Sequence, residues 1–61
     1  MMAYIIRCNV WSSDKYDYIS ADYDGEEYTN YDVCRKELIK AIRATKNDAH
    51  VDNIHIECVE V

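Results

Sequence analysis

The chain predicts a small α+β fold in ββαβ order, an antiparallel three-stranded sheet with one helix packed on one face. Three observations carry this. Residues 3–11 and 53–61 alternate apolar and polar side chains at the two-residue period of a strand. Residues 31–46 instead repeat apolar side chains at three- and four-residue steps, the period of an amphipathic helix. Turn formers separate these segments, at Ser12-Ser13-Asp14 and at Asp24-Gly25. With 61 residues the expected organisation is one domain, 1–61, near the lower limit for a self-supporting core.

Residues 3–11 (AYIIRCNVW) form the first strand. Tyr4, Ile6, Cys8 and Val10 share the core face, and Ile5, Arg7, Asn9 and Trp11 face away. The second strand spans 15–23, with Ile19, Ala21 and Tyr23 inward. Asp14, Tyr16, Tyr18, Ser20 and Asp22 form an outward comb of acids and phenols. Gly25 supplies the positive φ of a tight turn, and residues 26–29 fit either a short further strand or a loop. Thr29 with Asp32 three residues on fits a capping box. The helix then buries Tyr31, Cys34, Leu38, Ala41, Ile42 and Thr45 and ends at a left-handed Asn47. Its acids come early and its bases late, as the helix dipole favours. Residues 47–52 connect to the last strand, 53–61, where Ile54, Ile56 and Cys58 oppose His55, Glu57, Val59 and Val61. A right-handed crossover into that strand puts the first strand in the middle of the sheet.

Hydrophobic content of 49%, with Trp11 and six tyrosines, argues for folding rather than disorder. So short a chain buries roughly 60% of its unfolded surface, and homodimerisation is the expected source of further stability. No basic leader precedes the six apolar residues at the start, and no apolar run approaches the roughly 20 residues of a membrane span. Cys8, Cys34 and Cys58 are odd in number and set among core-type residues, which reads as buried, reduced thiols in a cytoplasmic protein. Ile, Tyr, Asn, Asp and Lys are common and have A/T-rich codons, which points to a low-GC bacterial, phage or mobile-element origin.

Charge is concentrated in residues 14–32 (DKYDYISADYDGEEYTNYD). Seven acids against Lys15 give this stretch a net charge of −6, so the rest of the −5 chain sums to +1. Five of the six tyrosines lie here as well. Alternate strand residues stand about 6.7 Å apart, so carboxylates on a comb present a spaced row of charge to a groove built for phosphates. Tyrosine adds rigid contact area with a polar tip, and charge complementarity speeds encounter. The competing reading is a solvated hairpin whose acids keep an edge strand soluble.

Net negative charge disfavours direct nucleic-acid binding and docking on anionic membranes. On the helix, Asp32–Lys36 and Glu37–Lys40 are spaced to pair, each for a few tenths of a kcal/mol, and the remaining bases read as a solvated face. His55 and Cys58 are three apart on a strand and point to opposite faces, so no metal site is expected. Gly25 is the only glycine, which excludes a phosphate-cradling loop. Nothing suggests a catalytic site or a cofactor, because a small sheet offers little concavity to desolvate an acid or a nucleophile. An enzyme is the weakest class.

In size, acidity and clustering of Tyr with Asp and Glu, the chain resembles small phage-encoded inhibitors, among them anti-CRISPR and other anti-defence proteins. The resemblance covers profile only, with no shared motif. It implies an acidic protein-binding inhibitor that blocks a basic nucleic-acid-binding protein by nucleic-acid mimicry. The expected partner-binding residues are Tyr16, Asp17, Tyr18, Asp22, Tyr23, Asp24, Glu26, Glu27 and Tyr28. The alternative is a structural or regulatory homodimer joined through the open sheet face, with Ile5, Arg7, Trp11, His55 and Val59 at the interface. A third reading is a single-strand binder that stacks bases on Trp11, Tyr16 and Tyr18.

Overall fold

A computed structural model describes residues 1–61. β1 (Met2–Ser12) and β2 (Asp17–Asp22) form a hairpin, α1 (Tyr31–Thr45) follows, and β3 (Val51–Glu60) returns to the sheet. The order β2-β1-β3 is antiparallel throughout, with β1 in the middle, where the expected crossover puts it. The four-residue connection at 13–16 places Tyr16 at φ 52°, a left-handed conformation that closes the hairpin, and β2 therefore starts at Asp17 rather than at Lys15.

β1 behaves as its alternation predicts. Ile6 and Cys8 are buried beneath the helix, while Arg7, Asn9 and Trp11 lie on the other face. In β2, Ala21 stands opposite Cys8 and Ile19 opposite Val10. The helix packs on β1 and β3 and makes no contact with β2, so Ile19 and Tyr23 stay exposed instead of entering the core. Residues 26–29 form no strand. Tyr28 makes one isolated bridge, donating to Tyr4 O at 2.8 Å and accepting from Tyr4 N at 2.7 Å. Before it, Gly25 takes φ 72° and Asp24 Oδ1 accepts from Glu26 N at 3.1 Å.

Both helix ends depart from expectation. Asn30, not Thr29, is the N-cap, with Oδ1 accepting from Asp32 N at 2.9 Å and Val33 N at 3.3 Å. Asn and Thr compete for this role, and the Asn30 amide oxygen, which reaches both free N–H groups, takes it one residue later. At the other end Lys46 is the cap with right-handed φ −60°, so the left-handed Asn47 is not formed. Thr45 Oγ1 donates to Ala41 O and Asp48 N to Thr45 O, which tightens the last turn. The buried stripe is Cys34 and Ala41, flanked by half-buried Leu38 and Thr45; Tyr31 and Ile42 are exposed. Of the two spaced ion pairs only Lys40–Glu37 forms, at 3.2 Å.

β3 begins two residues earlier than its pattern suggests and contains a bulge. Arg7 pairs with His55 and Asn9 with Asp52, so Cys8 faces two residues, Asn53 and Ile54, with Asn53 at φ 55°. Beyond it Ile56 and Cys58 turn to the helix side, and His55, Glu57 and Val59 to the open side. Cys58, expected to be buried, is exposed, while Cys8 and Cys34 are buried.

The result is thin, with extents of 36 × 24 × 13 Å. Only Ala3, Ile6, Cys8, Cys34 and Ala41 are buried. The accessible surface is 4545 Å², against about 4100 Å² for a folded monomer of this mass.

Candidate protein-binding edge and open sheet face

The acidic stretch lies along one side of the molecule, from the hairpin turn through β2 to the loop before the helix. Residues 13–20 and 22–27 are all exposed, and Tyr16 is 83% exposed. Of its acids, Asp22 alone meets a cation: Arg7 Nη1 donates to Asp22 Oδ1 at 2.6 Å. Asp14, Asp17, Asp24, Glu26 and Glu27 have no cation within ion-pair distance. Two of these are occupied locally. Asp17 Oδ1 accepts from Tyr18 N at 2.8 Å, and Asp24 Oδ2 accepts from Tyr28 Oη at 2.6 Å. That bond holds the Tyr28 phenol well above its ordinary pKa, with burial and the charges of Asp24 and Glu37 adding to it. Tyr28 is thereby a fastener for the loop, while Tyr16 and Tyr23 remain exposed.

The bases Arg35, Lys36, Lys40, Arg43 and Lys46 belong to or cap α1, which does not touch β2. Charge is therefore divided between an acidic edge and a basic helix. The expected outward comb survives only in part. Tyr18, Ser20 and Asp22 share the open face with Trp11, Asn9 and Arg7, whereas Tyr16 reaches that region through its left-handed turn.

The open face also carries the five residues expected at a dimer interface. Ile5, Arg7 and Trp11 on β1 stand beside His55 and Val59 on β3, each of them half-buried. Trp11 is held edge-on between two tyrosines, at 5.3 Å from Tyr16 and 5.4 Å from Tyr18. Tyr18 Oη then donates to Ala49 O at 2.6 Å, tying β2 to the loop before β3. Arg7 lies mid-face, with Nη2 donating to Ser20 Oγ at 2.6 Å and a buried Nε that has no partner. Next to it His55 bonds Asn53 O through Nδ1 at 2.7 Å and Glu57 Oε2 through Nε2 at 2.8 Å. The Asn53 carbonyl first, then Glu57, raises the His55 pKa above its usual 6.5. A polar row, Asp22–Arg7–His55–Glu57, thus crosses all three strands between the aromatic end and the aliphatic end.

The rest of the surface holds little that suits chemistry. An open hollow of about 560 Å³ lies between the end of α1 and the following loop, lined by Arg43, Ala44 and residues 47–50. In it His50 Nδ1 stands 3.7 Å from Asp48 Oδ1. Burial raises the thiol pKa values of Cys8 and Cys34, which keeps both protonated. No three His, Cys, Asp or Glu side chains stand together to hold a metal ion, and no helix is long and apolar enough to cross a membrane. Sequence reasoning missed the cross-strand polar row, because the register that aligns Asp22, Arg7 and His55 depends on hairpin length and on the bulge. No family model, curated protein or solved structure matches this chain.

Proposed function

We propose that this chain is a small acidic protein-binding inhibitor that occupies the phosphate groove of a basic nucleic-acid-binding protein. The observation that carries the reading is the run of exposed carboxylates without cations, Asp14, Asp17, Asp24, Glu26 and Glu27, along one edge. A groove built to displace counterions from phosphates gains the same electrostatic attraction from such a row. Tyr16 and Tyr23 add contact area beside it, and the helix bases, on another element, leave the acidic field uncancelled at the edge. No catalytic step is part of this reading. Such an inhibitor acts in the cytoplasm of a bacterial host, with phage or mobile-element genes as its source.

The test is an affinity pulldown from a low-GC bacterial lysate, with and without competing DNA, using the parent chain and a triple variant. Asp14→Lys, Glu26→Lys and Glu27→Lys reverse charges whose side chains make no hydrogen bond in the fold. A basic nucleic-acid enzyme retained by the parent, displaced by DNA and lost by the folded variant supports groove-blocking. Equal retention by both chains rejects the mimicry.

A further inference from the structure

The two edges of the sheet are not alike. β2 is six residues long and carries Asp17 and Asp22. Its outward-pointing Tyr18 N–H is already taken by Asp17 Oδ1. β3 runs ten residues with neither Lys nor Pro, and although Asp52, Glu60 and the bulge at Asn53 protect its ends, residues 54–59 between them form a continuous open edge.

Main-chain bonding shows which groups β3 turns outward. Tyr4 exchanges both its bonds with Tyr28 on the β2 side, Tyr23 N donates to Ile6 O, and Val61 N donates to Met1 O. Bonded and unbonded pairs alternate in an antiparallel ladder. His55, Glu57 and Val59 therefore bond to β1. Ile56 and Cys58, opposite Ile6 and Tyr4, direct N–H and C=O away from it.

We propose that a second copy of this chain docks on that edge, β3 against β3 and antiparallel, about a two-fold axis at Ile56. The two sheets join into one of six strands. In this register Ile56 exchanges two main-chain bonds with its counterpart. His55 falls opposite Glu57 of the other copy, twice by symmetry, at the unbonded positions where side chains stand closest. An axis one residue either way sets two glutamates or two imidazoles face to face. The bulge at Asn53 ends the ladder before Asp52 meets Glu60 of the other copy.

The helix side agrees. With Cys34 and Ala41 toward the sheet, Glu37 lies on the flank near Tyr28, and the 100° step of a helix puts Ile42 on the opposite flank, toward β3, while Tyr31 packs its ring edge-on against Tyr4 of β1 at 5.4 Å. Ile42 is 47% exposed. Edge pairing brings the two helices alongside on one face of the joined sheet and covers this apolar flank. The five-residue core and the excess surface of the isolated chain supply the need.

Sedimentation equilibrium of the full chain is expected to show a reversible dimer. Glu57→Lys raises its Kd about tenfold, and combining it with His55→Glu, which exchanges both charges, restores it. Hydrogen exchange on the unaltered chain reads the same contact without a substitution. Protection of the Ile56 and Cys58 amides grows with concentration, while that of His55 and Glu57, already bonded to β1, stays level. A chain that is monomeric at every concentration overturns the proposal. So does protection that grows around Trp11 on the open face, or a dimer indifferent to the Glu57 reversal.

Discussion

Arg7 and Asp22 stand directly opposite in the β1–β2 ladder and are joined side chain to side chain at 2.6 Å. The pair fixes the hairpin register, since a one-residue slip would move Asp22 to the helix side and leave Arg7, with its buried Nε, facing no carboxylate. Asp22 is thus a structural acid within an otherwise unpaired set. Arg7→Met is expected to destabilise the fold by about 1 kcal/mol, the cost of a partly exposed charge-assisted bond. Urea denaturation measures it, and a midpoint equal to the parent's refutes the assignment.

His55 gives the fold a pH dependence of defined sign. Only the doubly protonated imidazolium donates both to Asn53 O and to Glu57, so its folded pKa is raised above 6.5. A raised folded pKa contributes stability that is fully present below 6.5 and is lost as pH rises through the folded value. The effect is small because the side chain is 40% exposed. Proton NMR of the dilute chain is expected to show His55 titrating above 6.5, and Glu57→Gln to lower its midpoint. A midpoint at or below 6.5 in the parent would contradict the geometry.

Asn30→Ala removes the cap that serves Asp32 N and Val33 N and should cost about 1 kcal/mol. Thr29→Ala should be close to neutral, since its side chain bonds nothing. Thermal unfolding followed by circular dichroism separates the two. An equal loss in both variants would restore Thr29 as the cap.

The three thiols should differ sharply in reactivity. Cys58 is exposed and reacts with a disulfide reagent in the native protein, whereas Cys8 and Cys34 are buried and held protonated until the chain unfolds. One equivalent is expected before denaturant and three after it. Three fast equivalents without denaturant would show that the core is not closed.

Much of the fold was legible because period-two and period-3.6 patterns are local. The faces of β1, the central place of β1 and the helix at 31–45 all follow from them. Tertiary coverage is what sequence periodicity does not carry. Ile19 has the right spacing for a core, yet the helix is too narrow to reach β2 and leaves it exposed. Ile42 and Cys58 are exposed even though the helix packs on β3, because one helix covers only part of that strand. The bulge at Asn53 was hidden because an asparagine in a strand carries no mark of its φ. In the candidate site, composition revealed the acids and phenols. It did not reveal which of them the fold itself engages: Asp22 by Arg7, Asp24 by Tyr28, and Tyr18 by Ala49.

The inequality of the two sheet edges also sets a limit on assembly. Growth of a cross-β fibre requires each copy to accept a neighbour on both sides. Here one side is short, with Asp17 already occupying a main-chain donor. On the proposed pairing the chain has one adhesive margin and one blunt one. Stacking would then end as soon as the adhesive margin is filled, and a protein with almost no interior would avoid indefinite polymerisation.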